Sequence, residues 1–238
     1  MTLQDPDRPL APVAAPASRA AAASSPPLPV VRVVADLACP WCYVGLHRLL
    51  ALAPREPFRL VWHPFLLNPH LPPGGVPRPL YLERKFGGVA QADAVYRRAA
   101  ATAAAQGLEL RLDRLRVQPD TRLAHAVLLE AAGPRLPELA LALLAAFFRD
   151  GIDLGDPAAL ACVGARAGFA VPEPAAAAVR VGAMHEAACR AGIDGVPVFL
   201  FGEDHVIAGA QPAECLEAML RLERYRAGLA AAGAAAAL

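Results

Sequence analysis

Val30-Val31-Arg32-Val33-Val34-Ala35-Asp36-Leu37-Ala38-Cys39-Pro40-Trp41-Cys42-Tyr43-Val44-Gly45 is the stretch from which the fold can be read. It opens as an apolar, β-branched run ended by Asp36, which predicts a buried strand. It closes as the start of a helical pattern that continues to about Ala53 and stops at Pro54. Pro40 suits the first helical turn, where its missing N–H is not needed. A C-x-x-C at a strand-to-helix junction is the arrangement of thiol–disulfide chemistry. Cysteines at i and i+3 share one face of a helix's first turn and can approach to bonding distance without backbone movement. The free N–H groups and partial positive charge of the helix N-terminus lie beside Cys39 and favour its thiolate. Cys39 is the expected nucleophile, and Cys42, one turn further in, the expected resolving thiol.

Outward from the motif, Phe58-Arg59-Leu60-Val61-Trp62-His63 alternates and predicts a second strand, with Phe58, Leu60 and Trp62 on one face. From about Leu80 to Gly192 the pattern is helical, without a strand signal, in segments near 80–86, 90–106, 121–132, 136–149, 157–167 and 174–191. Strand signals return at Val198-Phe199-Leu200-Phe201 and, after a turn at Gly202-Glu203-Asp204, at His205-Val206-Ile207-Ala208. Gln211-Pro212 opens a last helix to about Ala227, and the alanine-rich residues from Leu229 are expected to fray. The order βαβ, helical block, ββα predicts an α/β chain, a thioredoxin-like fold with an all-helical insertion domain. The expected boundaries are a disordered Ala/Pro-rich tail at 1–29, a discontinuous thioredoxin-like domain at 30–66 and 193–228, and the helical insertion at 67–192.

Composition removes several function classes. A formal net charge of +1 over 238 residues gives no basic field for nucleic acid and no polybasic membrane patch. Lys85 is the single lysine against 22 arginines, a compositional skew that makes arginine abundance weak grounds for an anion site. The strongest apolar run, Leu139 to Phe148, has ten residues, whereas a membrane span needs about 20. Asp5 and Asp7 open the chain with no apolar run behind them, so no export signal is read and a cytoplasmic, reducing compartment is expected. There a C-x-x-C is catalytic or metal-binding more often than a staple. A four-cysteine zinc site needs a second close pair, and Cys162, Cys189 and Cys215 are isolated from one another, so no metal is expected. Incidental cysteines are the remaining alternative, and the strand–motif–helix context argues against it.

Gly195-Val196-Pro197 stands just before the returning strand. Proline is allowed at the first residue of a strand on structural grounds alone. In a thioredoxin-like sheet a proline here is typically cis, which turns the Val196 backbone toward the C-x-x-C to pair with an extended substrate segment.

With both elements placed, the chain resembles the DsbA-like oxidoreductases of the FrnE branch, relatives of 2-hydroxychromene-2-carboxylate isomerases and kappa-class glutathione transferases. The resemblance covers about residues 30–222. It is carried by Asp36 to Gly45, Pro64-Phe65-Leu66-Leu67-Asn68-Pro69, Asp120-Thr121-Arg122-Leu123-Ala124-His125, Gly195-Val196-Pro197-Val198-Phe199 and Gly209-Ala210-Gln211-Pro212. It implies Cys39 as nucleophile, Cys42 as resolver and a cis Pro197. Two departures matter. Asp120 stands where the family usually has Asn, and a carboxylate only accepts hydrogen bonds where an amide also donates. The glutathione-using relatives carry Ser at the start of the motif and tend to Ser-Asp where this chain has Ala210-Gln211, so both differences favour a dithiol enzyme.

The expected substrate-binding set is Trp41, Val196, Pro197, His63, Asp120 and Thr121. Trp41 is expected to be exposed, as an apolar contact for substrate. His63 at the end of its strand is weighed between the mouth of the site and a structural role, and Asp120 between ligand contact and helix capping. Asp36 is weighed as a proton acceptor for Cys42 against a turn residue, and His47 as a thiolate-tuning group against a solvated face. His185 and Cys189, at i and i+4, share a helix face but lack a third metal ligand. Cys162 and Cys215 read as small core residues.

The function expected is that of a protein disulfide oxidoreductase or isomerase. It would act on protein or small-molecule thiols and disulfides, as monomer or homodimer, without a bound cofactor and with glutathione as a redox partner. One alternative is a glutathione-assisted isomerase or transferase on an aromatic substrate. The other is a non-catalytic protein that uses its groove for docking.

Overall fold

Along β1, Val30–Ala35, side chains alternate between two environments, as a strand buried on both faces requires. Val31, Val33 and Ala35 enter the main apolar core, while Val34 enters a smaller cluster on the opposite face and Arg32 reaches solvent. β1 pairs in parallel with β2, Arg59–Pro64, and antiparallel with β5, Val198–Phe201, which pairs antiparallel with β6, His205–Ala208. The order is β2-β1-β5-β6, with Val33 flanked by Trp62 and Phe199. This computed structural model describes residues 27–131 and 133–236; residues 1–26, most of the expected tail, lie outside them.

Helix α1, Pro40–Ala51, leaves the carboxyl end of β1 and lays Leu46 and Leu49 on the main-core face. Helix α8, Ala213–Ala236, adds Leu216 and Leu220 there. It runs well past the expected Ala227, because an alanine-rich segment carries the highest helix propensity of any composition. The chain between the strands forms α2 Arg78–Phe86, α3 Val89–Ala104, α4 Arg122–Glu130, α5 Leu136–Phe148, α6 Pro157–Ala167 and α7 Pro174–Arg190. α7 covers the opposite face of the sheet, with Ala188 against Val34, Phe65 and Val198.

The block departs from the expectation in one respect. It holds a short ladder, β3 Val76–Pro77 against β4 Val117–Gln118. Two-residue strands carry no alternation to read in a sequence. Gly75 marks the place all the same: its φ is +70°, and an added Cβ would lie 2.2 Å from the Gln118 carbonyl oxygen. The apolar stretch in α5 belongs to the main core. Leu139, Leu143, Leu144, Phe147 and Phe148 are buried within this chain, in one cluster that also holds Val31, Val33 and Leu46. Tyr43 of α1 stacks on Phe148 at 5.9 Å and 11°, which joins the block to the helix that carries the motif. Among the described residues no helix is long and apolar enough to cross a membrane.

Gly45 lets α1 approach the sheet. A Cβ there would lie 3.0 Å from Phe199 Cζ, 3.2 Å from Pro197 Cγ and 3.4 Å from Ala210 Cβ. Phe199 has no exposed surface and little room to yield. Gly45→Ala therefore trades a helix-propensity gain of about 1 kcal/mol against an overpacking cost of about 1–3 kcal/mol. A net loss of about 1 kcal/mol is expected in the urea midpoint, and a larger one for Gly45→Val. A raised midpoint for Gly45→Ala would show that the Pro197 loop gives way freely.

Candidate functional site

Cys39 is the N-cap of α1, with φ −100° and ψ 115°. Its sulfur receives the Cys42 N–H at 3.4 Å, one of the donors that a helix start leaves unpaired. The same sulfur lies 3.7 Å from the Val196 carbonyl oxygen, to which the thiol can donate. Cys39 is 4% exposed and Cys42 1%, so both thiols lie beneath the surface, with Cys39 at the Val196 backbone. Burial pushes the Cys42 thiol well up, and the adjoining Cys39 sulfur and the Asp36 charge act in the same direction. Cys42 is thereby held protonated at neutral pH.

The Val196–Pro197 peptide bond is cis. Val196 and Pro197 line a cleft of about 550 Å³ together with Trp41, Arg48, Arg98 and Gln211. Arg48 donates to the carbonyls of Ala210 at 2.6 Å and Gln211 at 3.1 Å, which pins that loop to α1. Trp41 is half-buried rather than exposed as expected, since the Arg98 guanidinium of α3 sits 5.8 Å from its ring centroid.

Behind the motif lies a buried polar cluster. Asp36 Oδ1 accepts from the Ala38 N–H at 3.0 Å and the Thr121 hydroxyl at 3.0 Å, and Oδ2 accepts from the Leu67 N–H at 2.7 Å. The indole N–H of Trp62 donates to His125 Nδ1 at 3.0 Å. An indole only donates, so the imidazole proton is on Nε2, which faces Asp36 Oδ1 at 3.7 Å. Burial works to raise the Asp36 carboxyl, but His125 and the Ala38 and Leu67 amides outweigh it and hold the group below the usual carboxylate range. Asp36 thus stays charged at neutral pH, and its oxygens already accept three hydrogen bonds.

Trp41, Val196 and Pro197 line one cleft, and Cys39 adjoins it through the Val196 carbonyl; His63, Asp120 and Thr121 are not among its lining residues. The Thr121 hydroxyl is spent on Asp36. Asp120 accepts from the Arg122 N–H at 3.2 Å and its guanidinium at 2.9 Å, one residue ahead of Thr121, which is the N-cap of α4, and it lines a different cleft with Asp153 and Asp156. His63 donates from Nε2 to the Met184 carbonyl at 3.0 Å, and burial lowers its pKa. His47 lines a separate cleft with Gln106. Cys162 and Cys215 are exposed, not core: α6 turns Leu160 inward and α8 turns Leu216 inward, which leaves the cysteines on the outer faces. His185 Nδ1 accepts the Leu66 N–H at 3.2 Å, and Cys189 Sγ lies 3.7 Å from Nε2. Among the described residues no group of three or more metal-ligating side chains comes together. Arg98, Arg48 and the Trp62–His125 pair are not among the residues expected at the site. A tryptophan in a buried strand always has one N–H to satisfy; the partner's position, 63 residues on, had no local signal.

Asp36→Asn should cost about 3 kcal/mol, because one amide oxygen cannot serve three buried donors and the NH₂ group faces another donor. The carboxyl is held low when folded, so its contribution is complete above about pH 4 and disappears as pH falls through the folded value. Thermal melts of Asp36→Asn should therefore fall less steeply than wild type in the most acidic range; identical acid limbs would remove this carboxylate from acid unfolding.

Three comparisons place this geometry among known proteins. Residues 30–221 match the DSBA-like thioredoxin domain. A search of curated proteins gives no match. Among solved structures, the chain is 30% identical to a probable DsbA oxidoreductase from Streptomyces coelicolor, with a TM-score of 0.70 over 82% of this chain and 89% of that one. A putative protein disulfide isomerase from Nitrosomonas europaea is 19% identical, with a TM-score of 0.60 over 82% of this chain and 97% of that one. A 2-hydroxychromene-2-carboxylate isomerase is 20% identical, with a TM-score of 0.59 over 84% of this chain and 98% of that one. The last two share the fold. With a sheet of order β2-β1-β5-β6, a C-x-x-C capping α1 and a family match over residues 30–221, the protein belongs to the DSBA-like thioredoxin domain family.

Proposed function

We propose that the chain is a thiol–disulfide oxidoreductase that cycles its Cys39–Cys42 pair, with Cys39 as nucleophile and Cys42 as resolving thiol. The observation that carries this reading is the asymmetry of the two sulfurs. Cys39 receives a helix-terminal N–H and lies at the Val196 carbonyl, whereas Cys42 is held protonated by burial one turn deeper. The 30%-identical probable DsbA oxidoreductase supports it.

In the reducing direction, the Cys39 thiolate attacks one sulfur of a substrate disulfide. A Cys39–substrate disulfide forms, the substrate S–S bond breaks and the second substrate sulfur leaves as a thiolate that takes up a proton. Cys42 then gives up its proton and attacks Cys39 Sγ. The Cys39–Cys42 bond forms, the first substrate sulfur leaves as a thiolate, and two electrons have passed from enzyme to substrate. Two thiols of a pool such as glutathione restore the dithiol; the oxidising direction is the reverse. The Val196 backbone beside cis Pro197 pairs with an extended substrate segment and presents its sulfur to Cys39. Protein or small-molecule thiols and disulfides are the substrates.

Cys39→Ser should reduce insulin-disulfide turnover to background, and full activity in that variant would overturn the reading. Cys42→Ser should stop at a mixed disulfide on Cys39, visible as added mass. Since Cys42 is held protonated, the release of substrate from that mixed disulfide in wild type should accelerate from about pH 7 to about pH 9 without levelling. A rate flat over that range would place the proton elsewhere.

A further inference from the structure

We propose that the cleft beside Cys39 selects disulfides that carry a carboxylate next to the scissile bond, and that Arg98 receives that carboxylate. The inference rests on the thiol–disulfide reading and names the substrate class for the same cleft.

The cleft has a one-sided charge. Arg48 and Arg98 line it and no aspartate or glutamate does. The chain's arginine-rich composition makes the number of arginines uninformative, so the case rests on where these two are committed. Arg48 is committed to two backbone carbonyls. Arg111, Arg149, Arg180 and Arg226 each close on a neighbouring acid. Arg98 does neither: its guanidinium lies on the Trp41 ring, without a side-chain hydrogen bond or ion pair to a described residue. Ring stacking restrains a guanidinium without using its N–H edge. That edge is the fork that matches a carboxylate through two parallel hydrogen bonds.

The position of the ring connects this anchor to the chemistry. Trp41 stands between the two cysteines, and Val196, whose carbonyl meets Cys39 Sγ at 3.7 Å, lines the same cleft as Arg98. α3 is fixed beneath Arg98 by buried Tyr96, Ala99 and Ala103. The hydroxyl of Thr102, which also lines the cleft, donates to the Arg98 carbonyl at 2.8 Å. A carboxylate held by Arg98 then lies in the cleft that Val196, the residue at the Cys39 sulfur, also lines. The chemistry fits an acidic residue beside a cysteine in a protein and equally a small carboxylated thiol.

The test measures rates of thiol–disulfide exchange at Cys39 in the full chain with three disulfides: the dianion dithiobis(nitrobenzoate), neutral dithiodipyridine and the dication cystamine. Each rate is divided by that of a free thiol with the same reagent, to remove intrinsic reactivity. The dianion should be favoured over the neutral reagent, and the dication disfavoured. Arg98→Ala should lower the dianion-to-neutral ratio roughly fivefold, the size an exposed charge pair sustains. Arg98→Glu should invert the ratio, Arg98→Lys should keep part of it, and the wild-type preference should vanish near 1 M salt, where screening acts within about 3 Å. A ratio unaffected by Arg98→Ala, with exchange otherwise intact, overturns this inference and leaves the oxidoreductase reading standing. Failure of the neutral reagent to react at Cys39 overturns both. Two further disulfides separate the sources: a peptide with Asp beside its cysteine and dithiodipropionate. An Arg98-dependent preference in either sustains the proposal, and its absence in both sinks it.

Discussion

A carboxylate taken out of water has to be surrounded by donors, and that requirement at Asp36 organises this molecule. The donors come from three separate parts of the chain: Ala38 on the approach to the motif, Leu67 just beyond β2 and Thr121 at the start of α4. An isolated buried charge is prohibitive, so the strand end, the loop after β2 and the start of α4 must meet at one point. The segment between Asp36 and Cys39 is thereby closed, and the Cys39 N–H donates to the Asp36 carbonyl at 3.2 Å. The orientation of α1, and with it the Cys39 sulfur, follows from that closure.

The two thiols gain their difference from this placement rather than from their own chemistry. Cys39 and Cys42 are identical side chains one turn apart. One meets a helix-terminal N–H and the Val196 backbone; the other faces apolar packing and the Asp36 charge. The intervening Pro40 and Trp41 add no charge. What they add is a helix start and a surface, and the surface is shared with a guanidinium from a helix more than fifty residues further along the chain.

Much of this was legible locally. The β-branched run of β1, the alternation in β2 and the hairpin of β5 and β6 follow period-two patterns, and helix ends within a few residues of their expected places followed Pro and Gly signals. The terminal helix outruns its expected end because alanine's helix propensity outweighs fraying there, and the β3–β4 ladder has no signal because two residues have no period. The candidate site was legible where it is contiguous, at Cys39 to Cys42 and at Val196-Pro197. It was not legible where it depends on faces. Thr121 and Asp120 adjoin in sequence, yet one hydroxyl turns to Asp36 and the neighbouring carboxylate turns away to Arg122. Nor does sequence show that Arg98 reaches Trp41, since that depends on how α3 lies against α1.

The shared core of α5 bears on how such a protein is inherited. Tyr43 on Phe148, and Val33 in one cluster with Leu139 and Leu143, mean that the helical block and the sheet have no seam between them. A block with its own core could be exchanged between relatives as a module, and its ligand preference would travel with it. Here an exchange would strip the floor from under α1 and unseat the cysteine it begins with. The helical block and the helix that carries the cysteines are therefore bound to diversify together, by substitution in place and not by transplantation.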